Sequence, residues 1–102
     1  MHSAFPAEQF DRELALAESA WLDRLPQAVG AHPSQQVGRA LTVAIEPGQV
    51  RLSWRPVTVH DGAGGQAPRL RVSFRFRGLD DLERYRFMKR FDLCMRTGER
   101  LT

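Results

Sequence analysis

The 102-residue sequence contains one cysteine, one lysine and no long hydrophobic run. With Cys94 alone, neither an intramolecular disulfide nor a multi-cysteine zinc site can form. Charged residues interrupt every apolar stretch well before the roughly 18 residues needed to cross a bilayer, so we expect no membrane insertion. The N-terminal stretch MHSAFPAEQFDRE lacks a basic leader followed by an apolar segment, which favours a cytoplasmic location over secretion.

Motifs of catalysis and metal binding are also missing. His2, His32 and His60 are far apart in sequence, and no pair has the spacing of a preformed metal site, so we predict no metal and no cofactor. The glycine-rich stretch 62–65 lacks the lysine and hydroxyl residue of a P-loop, and we predict a flexible loop over residues 60–68. A protein without enzymatic activity is therefore expected. An enzyme of unrecognised type, with an active site assembled from distant residues, is retained as an alternative.

The composition is that of one globular domain, with 42% hydrophobic and 26% charged residues, and we expect a single α+β domain over residues 1–102. The net charge of +3 conceals an asymmetry. Residues 1–38 carry two arginines and five acids, whereas the remainder carries thirteen basic residues and seven acids. The almost exclusive use of arginine, together with many alanines and glycines, is typical of a high-GC bacterial genome.

Residues 6–25 have the pattern of an N-terminal helix. Pro6 and Glu8 suit a first helical turn, and Pro26 is predicted to end the helix. Residues 27–38 have no periodicity and are interpreted as a surface connection. The apolar residues of the helix recur at spacings of three and four and form one stripe, namely Phe10, Leu14, Ala17, Trp21 and Leu25.

Residues 40–77 alternate between apolar and polar side chains and predict a three-stranded antiparallel meander with the second strand at its centre. Pro47 and Gly48 are predicted to lie in the first turn, although Pro-Gly favours a type II turn and two-residue hairpin loops favour the primed types. After Trp54 the alternation slips by one residue, which a β-bulge at Arg55 and Pro56 would repair. In that register the apolar residues of all three strands share one face.

Asp80 and Glu83 have the spacing of a capping box, and they predict a C-terminal helix that runs to about Thr97 and stops at Gly98. The predicted architecture is thus α-β-β-β-α, with both helices packed on one face of the sheet. The apolar residues of the second helix cover more of its circumference than one sheet contact requires. This breadth motivates the hypothesis of self-association as a homodimer through Tyr85, Phe87, Met88, Phe91 and Met95.

The remaining feature is an arginine-rich sheet face. In the predicted register Arg51, Arg71, Arg75 and Arg77 share the side opposite the apolar residues, with Arg51 directly opposite Arg77. Two like charges in that position cost up to about 1 kcal/mol unless an anion lies between them. A solvated face whose charge is balanced by nearby acids is the simpler interpretation. A binding face for an anionic partner is the more specific one.

Two classes of partner fit such a face: an acidic protein surface and a nucleic-acid backbone. Phe74 and Phe76 point away from the arginines, so aromatic stacking on single-stranded bases is not expected, whereas non-specific phosphate binding is compatible with the pattern. The sequence therefore predicts a non-enzymatic interaction module that binds protein. A non-specific nucleic-acid-associated protein is the alternative.

Overall fold

The computed structural model describes residues 6–60 and 66–100, and the side chains of these residues except 58–60, 66 and 96–100. The sheet has five antiparallel strands in the order β1-β5-β4-β3-β2, so the predicted three-stranded meander is wrong in its strand count. The elements in chain order are β1 (Gln9–Leu14), α1 (Glu18–Val29), β2 (Ser34–Val37), β3 (Ala40–Ile45), β4 (Gly48–His60), β5 (Gln66–Arg77) and α2 (Asp81–Arg100).

Strand β1 replaces the first half of the predicted N-terminal helix. The segment fits both periods, because Phe10, Arg12 and Leu14 also alternate with polar residues. Pairing with β5 decides in favour of the strand. It stacks Phe10 on Phe74, with ring centroids 4.9 Å apart. Arg12 points to the helix side, where its Nη1 forms an ion pair with Oδ1 of Asp92 in α2 at 2.5 Å. Hydrophobic periodicity does not reveal this contact.

Helix α1 therefore begins at Glu18 and not near Pro6. The prediction that Pro26 ends the helix is also wrong, since Pro26 lies within its last turn. Gly30 ends the helix instead. Its φ of 72° is in the positive range that glycine adopts more readily than other residues, and its N–H donates to the carbonyl of Pro26 at 3.0 Å.

Strand β2 lies in the stretch that was interpreted as a surface connection. Its four residues pair with β3 from Ser34 opposite Val43 to Val37 opposite Ala40. All four are exposed, so the strand has no apolar alternation that would reveal it in the sequence. Backbone pairing to β3, and not side-chain burial, accounts for this edge strand.

Strands β4 and β5 pair without interruption from Gln49 opposite Arg77 to His60 opposite Gln66, so the predicted bulge is wrong. The Trp54 N–H donates to the carbonyl of Arg39 at the start of β3. The backbone nitrogen of Pro56, two residues further, points to the same side, beyond Ala40, the first residue of β3. No ladder hydrogen bond is lost there, so proline is tolerated.

The hydrophobic core lies on one face of the sheet, which both helices cover. Trp21 of α1 packs on Trp54 of β4 with ring centroids 5.4 Å apart, and Phe91 of α2 packs edge-on against Phe74 of β5 at 5.3 Å. Trp21 and Phe91 also contact each other at 5.6 Å. The two helices therefore lie side by side, and the opposite face of the sheet is left open.

The predicted capping box of α2 is confirmed. The Glu83 N–H donates to Asp80 Oδ1 at 2.8 Å, and the Asp80 N–H donates to Glu83 Oε1 at 2.7 Å. The predicted stop at Gly98 is wrong, because α2 extends to Arg100. A glycine is unfavourable inside a helix by about 1 kcal/mol but does not by itself end one.

The carboxylate of Glu18 joins the start of α1 to the sheet. It accepts hydrogen bonds from Arg39 Nε at 2.7 Å, from Arg39 Nη2 at 2.9 Å and from Trp54 Nε1 at 2.9 Å. The bonds from Arg39 first, and from Trp54 second, lower the pKa of Glu18 from 4.5 to about 2. Ionised Glu18 therefore holds the β2–β3 turn and β4 against the helix.

This arrangement predicts a specific loss of stability in acid. Because the pKa of Glu18 is lower in the folded protein, its charge stabilises the fold above about pH 4.5, and that contribution disappears as the pH falls from 4.5 towards 2. We expect Glu18→Gln to lower the urea midpoint at neutral pH, and the difference from wild type to shrink below pH 4.5. Urea unfolding followed by tryptophan fluorescence checks this. An equally large difference at pH 2 would contradict it.

Candidate functional site

The face of the sheet opposite the helices, here called the open face, is formed by alternate residues of all five strands. In the paired register, residues directly opposite each other point to the same side, so the membership of the face follows from the ladder. Most of its side chains are polar or charged. Its residues on the three strands that carry the charge are Gln9, Asp11 and Glu13 of β1, Arg69, Arg71, Ser73, Arg75 and Arg77 of β5, and Gln49, Arg51, Ser53, Arg55 and Val57 of β4.

The structure places all four arginines of the predicted site, Arg51, Arg71, Arg75 and Arg77, on the open face, and all four are exposed. Their register differs from the prediction by two residues. Arg51 lies opposite Arg75, while Arg77 lies opposite Gln49. The helices leave this face uncovered, so the four side chains remain accessible together.

Arg55 is a member of the same face that sequence reasoning missed. The predicted bulge would have turned this residue out of the alternation, but in the uninterrupted ladder it lies opposite Arg71. It is exposed. The signal that would have found it is the unbroken alternation of Arg51, Ser53 and Arg55 on β4.

Strand β1 neutralises one part of the open face. Glu13 Oε2 accepts a hydrogen bond from Arg71 Nη2 at 3.1 Å, and Glu13 Oε1 lies 3.8 Å from Arg69 Nη1. The acids expected to balance the face were Glu46, Asp92 or those of the first helix. Asp92 instead pairs with Arg12, on the helix side. Glu13 belongs to the segment of the predicted first helix and was therefore among the acids expected, but it provides the balance from an edge strand on the same face.

The other part of the face keeps its charge. Among the described side chains, no acid lies within 4.0 Å of Arg51, Arg75 or Arg77. Arg51 and Arg75 are direct cross-strand neighbours, an arrangement that costs up to about 1 kcal/mol when it is left unbalanced. A group of three arginines without an ion pair therefore lies at the end of the face where β4 begins and β5 ends.

A concavity of about 380 Å³ lies at this end of the open face, and we call it the arginine recess. Arg51, which belongs to its wall, also borders a second concavity of about 340 Å³ beside β2 and β3. Its guanidinium thus lies between two depressions of the same face. The arginine recess is lined by Glu8, Gln9, Gln49, Arg51, Arg75, Phe76 and Arg77.

The residues proposed for self-association lie mostly in the core. Phe87, Met88, Phe91 and Met95 are between 1% and 6% exposed, because α1 covers the flank of α2 that the sheet leaves free. Tyr85 is 38% exposed. The breadth of the apolar surface on α2, which motivated the dimer hypothesis, is thus explained by two packing partners within one chain.

The aromatic side chains that the structure describes lie on the helix side of the sheet or on the helices. Phe10 stacks with Phe74, and Phe76 contacts Phe87 of α2 at 5.9 Å. In the described part of the chain the open face therefore offers guanidinium, carboxamide, hydroxyl and carboxylate groups but no ring on which a base can stack. This agrees with the orientation expected for Phe74 and Phe76.

Few of the histidine and glycine positions considered above can be placed. His2 lies outside the described residues. So do residues 61–65, which are most of the loop predicted over residues 60–68. Residues 66–68 of that predicted loop belong to β5. His32 is exposed between α1 and β2. Within residues 6–60 and 66–100, no group of three or more His, Cys, Asp or Glu side chains could hold a metal ion. No helix in that part of the chain is long and apolar enough to cross a membrane.

Comparisons of the chain with protein-family models, with curated proteins and with solved structures found no match. The geometry and charge of the open face are therefore the features from which a function can be inferred.

Proposed function

We propose that this protein is a non-enzymatic interaction module whose open face binds an acidic surface of a protein partner. The observation that carries the proposal is the group Arg51, Arg75 and Arg77, which share a face that neither helix covers and form no ion pair within 4.0 Å among the described side chains. An acidic partner would remove the repulsion within this group. It would also gain charge-assisted hydrogen bonds from guanidinium forks.

The distribution of charge across the face favours a protein over a nucleic acid. Asp11 and Glu13 form an acidic border along β1, opposite Ser73 and Arg71 of β5. A phosphate backbone carries negative charge along its whole length and would be repelled where it crosses this border. A protein surface can present acids to the arginines and basic groups to the border.

The chemistry of the face also supports binding without catalysis. Arginine stays protonated in proteins, so Arg51, Arg75 and Arg77 can donate hydrogen bonds but cannot accept a proton as general bases. The neighbouring carboxamides of Gln9 and Gln49 are likewise not titratable. We place the interaction in the cytoplasm, since a chain with Cys94 as its only cysteine needs no oxidising compartment.

A pair of charge-matched double variants tests this function. Arg51→Ala with Arg75→Ala removes two charges from the open face, and Arg86→Ala with Lys89→Ala removes two from the exposed surface of α2. We expect the open-face variant to bind poly-L-glutamate roughly two- to thirty-fold more weakly than wild type, as estimated from two exposed ion pairs. The α2 variant should bind almost as wild type does. Titrations at about 50 mM and about 200 mM salt measure both.

Two results would contradict the proposal. An equal loss in both double variants would show that net charge, and not the open face, governs binding. Tighter binding to duplex DNA than to poly-L-glutamate, with the same dependence on Arg51 and Arg75, would favour the nucleic-acid alternative.

A further inference from the structure

The arginine recess has more hydrogen-bond donors than one acidic side chain of a protein partner can use. Its wall combines three arginines from two adjacent strands with Gln9 and Gln49. Among the described residues that line it Glu8 is the only acid, so their net charge is +2. This is the charge and the donor chemistry that suit a compact dianion.

A carboxylate would use this donor set incompletely. It has two oxygens in one plane, and a single arginine fork satisfies both. With Arg75 so engaged, Arg51 and Arg77 would remain as uncompensated like charges beside it. One glutamate or aspartate side chain therefore leaves most of the repulsion in place.

A phosphate monoester matches the recess better. It carries a charge of about −1.5 to −2 at neutral pH and three terminal oxygens that point in different directions. Arg51 approaches from β4, whereas Arg75 and Arg77 approach from β5, so separate oxygens can accept from separate guanidinium groups. Gln9 and Gln49 supply further donors from β1 and β4.

From this geometry we propose that the arginine recess binds a phosphate monoester, carried by a phosphorylated side chain of the protein partner. The inference rests on the proposed function, since the recess is one end of the same open face. Arg71, whose charge Glu13 already balances, lies outside the recess and takes no part. Glu8 opposes the phosphate and limits its affinity.

The test uses three forms of one short acidic peptide, with phosphoserine, glutamate or serine at its centre, titrated onto the full chain at about 50 mM salt. We expect the phosphoserine form to bind roughly ten-fold or more tightly than the glutamate form. Arg75→Lys keeps the charge but removes the fork, and it should abolish most of that preference. Arg71→Lys is the matched control on the same strand and should keep it.

Two further readouts depend on phosphate chemistry itself. The second pKa of a phosphate monoester is about 6, so the preference for the phosphoserine form should grow as the pH rises from about 5 to about 7.5, while binding of the glutamate form stays nearly constant. Glu8→Gln should strengthen binding of the phosphoserine form, because it removes the negative charge from the wall of the recess.

The outcomes separate this inference from the proposed function. Equal binding of the phosphoserine and glutamate forms, with loss of both in the Arg51→Ala, Arg75→Ala variant, would overturn the phosphate site and leave the acidic-partner function intact. Binding of neither form would overturn both. Binding of free phosphoserine as tight as that of the phosphoserine peptide would overturn the protein partner as the source of the phosphate.

Discussion

Replacing Gly48 by alanine is expected to destabilise the protein by about 3 kcal/mol or more. A Cβ at this position would lie 2.0 Å from the backbone carbonyl oxygen of Arg77 and 2.7 Å from the carbonyl carbon of Gly78. Backbone atoms cannot rotate away as the end of a flexible side chain can, so the start of β4 must separate from the end of β5. Urea unfolding of the variant and of wild type measures the loss.

Gly38→Ala is the matched control for this prediction. Gly38 has a φ of 59°, but a Cβ there meets nothing within 4 Å, so only the left-handed conformation opposes the substitution, at about 1–2 kcal/mol. Gly48 has no positive φ, and only the close approach opposes alanine there. If Gly48→Ala costs no more than Gly38→Ala, the close packing of β4 on Gly78 is incorrect.

Truncation of Phe91 is expected to be nearly as damaging. Phe91 is 1% exposed and contacts Trp21, Phe74 and Phe87 with ring centroids 5.3–5.8 Å away. Phe91→Ala removes a ring from the point where both helices meet the sheet, and we expect a loss of about 3–5 kcal/mol in the free energy of unfolding. Thermal and urea unfolding measure this loss.

The Phe91→Ala variant also distinguishes a role of Phe91 in the core from a role in self-association. Leu82, on the same helix, is 46% exposed, and Leu82→Ala should cost less than about 1 kcal/mol. Light scattering of wild type over a range of concentrations gives the mass of the particle in solution. A stability of Phe91→Ala that equals that of Leu82→Ala would show that Phe91 is not a core residue and would restore the case for a dimer through α2.

Parts of this fold could be read from local sequence. The alternation of residues 40–54 and 69–77 distinguishes the core side of the sheet from the arginine side without reference to register. This is why Arg51, Arg71, Arg75 and Arg77 share a face although the pairing differs from the prediction by two residues. The capping box at Asp80 and Glu83 is similarly local, because its partners are three residues apart.

Only one of the two main properties of the candidate site could be predicted from the sequence. The sequence indicates which arginines share a face, but it does not indicate which of them an acid neutralises. Glu13 lies 58 residues from Arg71, and it contacts that side chain only because β1 is a strand beside β5. The distinction between a neutralised Arg71 and the arginines of the recess is therefore a tertiary property.

The side of the sheet on which residues of β3, of β4 as far as Trp54, and of β5 from Arg69 onwards lie could be predicted from the sequence, together with the start of α2. These features follow from the two-residue period of a strand and from hydrogen bonds within one helical turn. The tertiary structure alone decided that residues 9–14 form β1 and residues 34–37 form β2. Both are edge strands, and each is stabilised by pairing with another strand of the sheet. Phe10 lies opposite Phe74, and Ser34 lies opposite Val43, only once the sheet has formed.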